Sequence, residues 1–166
     1  KAWLTARGVS CDSLVERAAT LASEGKSPVY LALDEEMAAL FAIADRPRPD
    51  ARAGVAALRR LGIEVVMVSG DNQATADCIA RELGIDQVVA EATPADKLSY
   101  IEGRRAEGAR VGMIGDGVND APALATADVG FAVGSGTDIA IEAADVTLVG
   151  GDITRVAEAV MLGRNT

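Results

Sequence analysis

The sequence predicts an α/β protein, a Rossmann-like, doubly wound parallel sheet, with an N-terminal partial α+β segment of different character. Two observations carry this expectation. From about residue 39 onward, apolar strand-like runs alternate with amphipathic helical stretches. The strand-like runs, such as Ile63–Val68 and Val129–Val133, are also close to continuously apolar. That is the pattern of parallel strands covered by helices on both faces.

The elements follow in order. Leu40–Ile43 is a short apolar run. After Pro49, residues Ala53, Val55, Ala56, Leu58 and Leu61 recur at broadly helical spacing, and Gly62 ends the helix. Ile63–Val68 reads as a buried strand, Asn72–Leu83 as a helix closed by Gly84, and Val88–Ala90 as a short strand. Pro94 opens a helix running to about Glu107. Val111–Ile114, Val129–Val133 and Val146–Val149 read as strands, interleaved with helices at Ala121–Ala125, Asp138–Ala143 and Ile153–Leu162. On the N-terminal side, Ser13–Ser23 reads as a helix. Val29–Leu33 and Met37–Ile43 pair as a hairpin around the acidic turn Asp34-Glu35-Glu36. Residues 1–44 are therefore expected to be the edge of a second domain. They join residues 50–166 through Asp45-Arg46-Pro47-Arg48-Pro49, whose two prolines stiffen a hinge-like connection.

Composition narrows the chemistry. At 166 residues, about half of them apolar and a quarter charged, the chain is globular in type. A net charge of −9 argues against a nucleic-acid partner, because phosphate binding requires a basic footprint. No apolar stretch approaches the ~18–20 residues that span a bilayer. Cys11 and Cys78 are isolated, which fits unpaired thiols in a reducing compartment. Histidine is absent, removing Ser-His-Asp triads and His-ligated zinc.

Three segments are expected to converge at the C-terminal edge of the sheet, where open α/β sheets bind ligands. Ser69-Gly70-Asp71-Asn72 follows a strand and opens a helix, so a hydroxyl and free backbone N–H groups could cradle phosphate. A plain helix N-cap would have the same composition. Lys97 stands near the start of a helix, where the dipole disfavours a cation, so pairing with an anion would explain it; a solvated surface lysine is the alternative. Gly115-Asp116-Gly117-Val118-Asn119-Asp120 follows an apolar strand and offers paired hard oxygens with little bulk around them. That suits Mg²⁺, which takes one or two carboxylates and fills its other positions with water and phosphate. A polar loop with an Asx turn is the simpler reading. Hydroxyl, lysine and carboxylate-held Mg²⁺ together would make a phosphoryl-transfer site.

Strand-Ser-Gly-Asp-Asn-helix, then Pro94-x-Asp96-Lys97, then Gly115–Leu124 resembles the phosphorylation domain of P-type ATPases, which have a haloacid dehalogenase-like fold. Gly134–Ala140 and Glu142-Ala143-Ala144-Asp145 continue the resemblance, and Asp45-x-x-Arg48-Pro49 looks like that family's interdomain hinge. The details, including Gly151-Asp152, are most similar to heavy-metal pumps of the copper/silver class. The resemblance implies that residues 1–44 are the C-terminal part of a nucleotide-binding domain, 45–49 the hinge and 50–166 the phosphorylation domain. It implies that Ser69 and Gly70 hold the phosphoryl group, with Asp71 and Asn72 nearby, and that Lys97 neutralises its oxygens. Asp116 would bind Mg²⁺ with Asp120, with Gly117 and Asn119 completing the loop, and Arg48 would reach toward the phosphates of ATP. Gly134, Gly136 and Asp138 are expected to be structural or interfacial. Implied partners are the nucleotide-binding, actuator and membrane domains of the same pump, on the cytoplasmic side of a membrane. The transported cation would not be bound by this segment.

One departure is decisive for activity. The family's nucleophile is the aspartate of Asp-Lys-Thr-Gly-Thr, and that motif is absent from these residues, as is the His-Pro motif of metal pumps. The expectation is a piece of a larger pump that is inactive alone, since covalent catalysis needs the nucleophile. A soluble haloacid dehalogenase-like phosphatase is the alternative. It would need an Asp-x-Asp motif, for which Asp34-Glu35-Glu36 has the wrong spacing. A non-catalytic domain using the same fold is a further one.

Overall fold

The computed structural model describes residues 2–44, 47–115, 118–133 and 142–164. On the N-terminal side, helix α1 (Ala2–Thr5), which the sequence pattern does not single out, precedes α2 (Val15–Ser23). A 3-10 turn over Asp12–Leu14 leads into α2. Strands β1 (Ser27–Leu33) and β2 (Glu36–Ile43) pair antiparallel, as the alternation predicts. Their turn is made by Asp34 and Glu35 at φ 49° and 64°. Two successive left-handed residues match the twist of a two-residue hairpin. One face of the hairpin carries Tyr30, Ala32 and Met37 against Leu4, Val9 and Cys11. The opposite face leaves Val29, Leu31, Leu33, Phe41 and Ile43 exposed.

The rest alternates as expected: α3 (Ala51–Arg60), β3 (Val66–Val68), α4 (Gln73–Leu83), β4 (Gln87–Val89), α5 (Pro94–Ala106), β5 (Gly112–Gly115), α6 (Ala121–Thr126), β6 (Val129–Val133), β7 (Val146–Leu148) and α7 (Thr154–Arg164). All of these strands pair in parallel. Among the described residues they form two ladders rather than one, β3–β4 and β5–β6–β7. The expected strand Ile63–Val68 is shortened at its start: Ile63 and Val65 pack against the core instead of joining the ladder. The helix expected over Asp138–Ala143 falls mainly outside the described residues.

The three-strand ladder holds the main core. Phe131 and Val133 of β6 and Leu148 of β7 meet Leu58 of α3 and Val156 and Ala157 of α7. Burying each large side chain stabilises the fold by roughly 1.5–3 kcal/mol. Helix α6 packs on β5 and β6, and its Leu124 is wholly buried. Gly130 permits that approach, since a Cβ there would lie 2.7 Å from the Leu124 carbonyl oxygen.

Within the described residues β3 pairs with β4 alone and β5 with β6 alone, so each leaves one edge without a strand neighbour. Val66 and Val68 of β3 and Met113 and Ile114 of β5 line one groove of about 610 Å³. The C-terminal ends of both strands lead into the polar segments singled out from the sequence.

Candidate functional site

The first segment is a loop held from several sides. The Ser69 N–H donates to the Val89 carbonyl (2.9 Å), the Ala92 N–H to the Ser69 carbonyl (2.9 Å) and the Glu91 N–H to the Asp71 carbonyl (2.8 Å). These bonds carry the β3–β4 pairing past the ends of both strands. Within the loop, Ser69 Oγ donates to Asp71 Oδ2 at 2.9 Å and accepts from the Asp71 N–H at 3.1 Å. Asn72 has extended backbone angles, and its Oδ1 accepts from the Thr75 N–H at 3.1 Å, which makes it the N-cap of α4. The first turn of α4 contains no acidic residue, so its positive end is not offset there. Gly70 is exposed at the tip. The N-cap and phosphate-loop readings are thus compatible: Asn72 caps, while Ser69 and Gly70 remain beside the helix start.

The second and third segments meet. A capping box fixes the start of α5: the Thr93 Oγ1 accepts from the Asp96 N–H, and Asp96 Oδ2 accepts from the Thr93 N–H at 2.8 Å. The Thr93 hydroxyl, with the backbone N–H, holds the Asp96 carboxyl below the usual carboxylate range. Lys97 follows directly, and its Nζ lies 2.7 Å from Asp120 Oδ1. The two side chains are only 19% and 12% exposed, so each charge needs the other. Asp120 ends a 3-10 turn (Val118–Asp120) just before α6, and a Cβ on Gly115 would stand 2.8 Å from its Cβ. A side chain at position 115 would therefore displace the carboxylate. Asn119 is exposed on the same turn.

Asp116 and Gly117 lie outside the described residues, as do Gly134, Gly136 and Asp138. Among the described residues no group of three or more His, Cys, Asp or Glu side chains gathers as a metal cage. The chemistry of the acidic loop fits a different kind of site. It supplies hard oxygen donors, with Lys97 occupying one oxygen of Asp120, and suits an ion that takes few protein ligands and completes its shell with water and phosphate.

Lys97, Val68 at the end of β3 and Ile114 near the end of β5 all line the same groove. The second and third segments are thus in direct contact, while the first is tied to them only through Val68, which precedes Ser69 and shares the groove with Lys97. Arg48 is engaged elsewhere. Its guanidinium donates to the Gly150 carbonyl at 3.0 Å, pairs with Asp50 at 3.3 Å and lies over Gly151, where a Cβ would meet it at 2.7 Å. Asp50 in turn accepts from the Ile153 N–H at 2.8 Å, and this bond leads the causes that hold its carboxyl below the usual range. Asp145 and Asp152, also part of the matched motifs, have backbone work: Asp145 accepts from the Gly130 N–H at 2.8 Å and Asp152 from the Thr154 N–H at 2.9 Å. Sequence reasoning missed Ser27, whose Oγ donates to Asp71 Oδ1 at 2.8 Å. Lone serines at strand starts carry no pattern that would reveal this.

Comparison with known proteins agrees with the geometry. A family model described as haloacid dehalogenase-like hydrolase matches residues 1–128, and a second of the same description matches 99–159. Copper-transporting ATPase 1 of Rhizobium meliloti is 48% identical over 159 residues, covering 96% of this chain and 19% of that protein. The copper-exporting P-type ATPase of Bacillus subtilis is 46% identical over 154 residues, covering 93% and 19%. Among solved structures, a zinc-transporting PIB-type ATPase superposes with TM-score 0.76 at 33% identity, over 94% of this chain and 26% of that one. The chain thus spans about a fifth of the length of these curated relatives.

Proposed function

We propose, for a chain that belongs to the haloacid dehalogenase-like hydrolase family, that it is the phosphoryl-transfer segment of a cation-transporting P-type ATPase of the copper class. The observation that carries this reading is the Lys97–Asp120 pair, whose lysine lines a groove shared with Val68 of β3 and Ile114 of β5. A lysine, a carboxylate loop and a hydroxyl-bearing loop, each following the C-terminal end of a parallel strand or opening a helix, are the kinds of group that phosphoryl transfer needs. The names of the relatives support copper as the cargo, which would not be bound by this segment.

In the whole pump an aspartate carboxylate oxygen would attack the γ-phosphorus of ATP, forming the acyl phosphate and releasing ADP, and water would later cleave it to phosphate. Ser69 and Gly70 would hold the transferred group, with Asn72 fixing the helix start behind them. Lys97 would turn from Asp120 toward phosphoryl oxygens as negative charge arrives. Asp116 and Asp120 would hold Mg²⁺, which would supply neutralisation of the phosphoryl oxygens. Arg48 is bonded here to the Gly150 carbonyl and to Asp50, and its approach to nucleotide would require leaving those partners. Partners are the remaining nucleotide-binding, actuator and membrane domains of the same protein, and the segment would face the cytoplasm. No helix among the described residues is long and apolar enough to cross a membrane.

The nucleophile is the missing part. The open edges of β3 and β5 support a place for it: a further strand in the groove would complete one sheet and bring its C-terminal end between Ser69 and Asp120. Mg²⁺ titration of this chain tests the acidic loop directly. The parent should bind measurably more tightly than Asp116→Ala, and equal affinities would remove the metal assignment.

A further inference from the structure

Strand β1 begins against the loop that follows β3. Ser27, its first residue, donates from Oγ to Asp71 Oδ1 at 2.8 Å across 44 residues of sequence. The other oxygen, Oδ2, accepts from Ser69 Oγ at 2.9 Å. The Asp71 carboxylate is therefore held between two hydroxyls, one local and one from the N-terminal unit. A second bond runs beside it: Thr75, only 2% exposed, donates from Oγ1 to the Lys26 carbonyl at 3.1 Å and accepts from Asn72 Nδ2 at 2.9 Å. Just before these residues, Gly25 at φ 76° lies so close to α4 that a Cβ would reach 3.2 Å from Cys78 Sγ. Ser27 also pairs in register with Ile43, at the hairpin end from which the chain leaves toward the hinge.

From this arrangement we infer that Ser27 is a positioning residue: through Asp71 it sets the orientation of the Ser69 hydroxyl, so that the N-terminal α+β unit governs how well the loop receives a phosphoryl group. The inference rests on the reading of Ser69–Asn72 as the phosphoryl-holding loop. With Ser27 in place, the plane of the Asp71 carboxylate is fixed, and the Ser69 hydroxyl has a defined acceptor until an incoming phosphoryl oxygen takes its hydrogen. Without it, Asp71 has one hydroxyl donor fewer and can turn to recruit a loop N–H that the phosphoryl group requires. Any tilt of the hairpin about the hinge would break the same bond, which links unit orientation to loop geometry.

The test compares Ser27→Ala, Ser27→Thr and Lys97→Ala in the full-length protein that carries this chain. The readout is aspartyl-phosphate formation from inorganic phosphate with Mg²⁺, with nucleotide affinity measured in parallel. Ser27→Ala is expected to raise the phosphate concentration for half-maximal labelling by roughly three- to tenfold, the effect of losing one ordinary hydrogen bond that acts on the site only through Asp71. Nucleotide affinity should be unchanged, and Ser27→Thr, which restores the hydroxyl, should recover most of the loss. Parent-like labelling by Ser27→Ala alongside loss of labelling in Lys97→Ala would overturn the positioning role and leave the site reading intact. Equal defects in Ser27→Ala and Ser27→Thr would overturn it too, because packing rather than the hydroxyl would then be responsible. Full labelling in Lys97→Ala would instead strike the site reading itself.

Discussion

Asp71 and Asp120 stand just beyond the ends of two parallel strands, β3 and β5, yet they are satisfied in opposite ways. Asp71 is held by two serine hydroxyls, one of them from the N-terminal unit. Asp120 is held by the ammonium of Lys97, in surroundings that leave both side chains mostly buried. The first carboxylate is therefore held by direction, through neutral hydroxyl partners on both of its oxygens. The second is held by charge, through a partner that cannot be removed cheaply. Under the proposed function, Lys97 would stay paired with this internal anion until a stronger one arrives.

The largest effect that would break this contrast is at Lys97. Replacing it by alanine leaves the Asp120 charge buried without its cation, and at this degree of burial we expect a loss of about 3 kcal/mol in urea unfolding. Asp120→Asn in the same background should recover much of that loss. A simple sum of the two single effects would mean that the pair is not coupled.

A smaller effect separates the helices behind the two loops. Helix α4 is capped by the neutral amide of Asn72, and α5 by a box that includes the Asp96 carboxylate. Asn72→Ala and Thr93→Ala should each cost about 1 kcal/mol. Their pH behaviour should differ. Asp96 has a lowered folded pKa, so its contribution is present above the unfolded value near 4 and is lost as pH falls through the folded value. Asp96→Asn should therefore flatten the acid limb of the stability profile, whereas Asn72→Asp should add to it. Parallel acid limbs in parent and Asp96→Asn, followed by thermal unfolding between pH 5 and pH 2, would contradict the box as described.

Much of this was legible in the sequence because local signals and tertiary demands agree. Val129–Val133 is a strand as expected, Pro94 and Gly84 punctuate helices as expected, and the acidic hairpin turn stands where the alternation places it. Lys97 was suspected because a cation is out of place at a helix start, and it has an anionic partner, although within the protein. What stayed hidden has a common origin. The parallel pairing follows the strand patterns, but those patterns do not report neighbours, and β3 and β5 each lack one among the described residues. Ile63 and Val65 were assigned to β3 because they are apolar, and they serve the core without joining the ladder. Arg48 lies against a turn that Gly151 at φ 73° opens, a contact that its place in the sequence does not announce. Ser27 was invisible because its partner lies far along the chain.

The central claim is that these residues supply the lysine, hydroxyl and carboxylate support of a phosphoryl-transfer site while the nucleophile lies on a strand they do not contain. Labelling with γ-³²P-ATP and Mg²⁺ tests it most directly. This chain alone should take up no hydroxylamine-sensitive label, whereas the full-length protein should be labelled, and Lys97→Ala should abolish that labelling. A stable acyl phosphate on this chain alone, or full labelling without Lys97, would contradict the account.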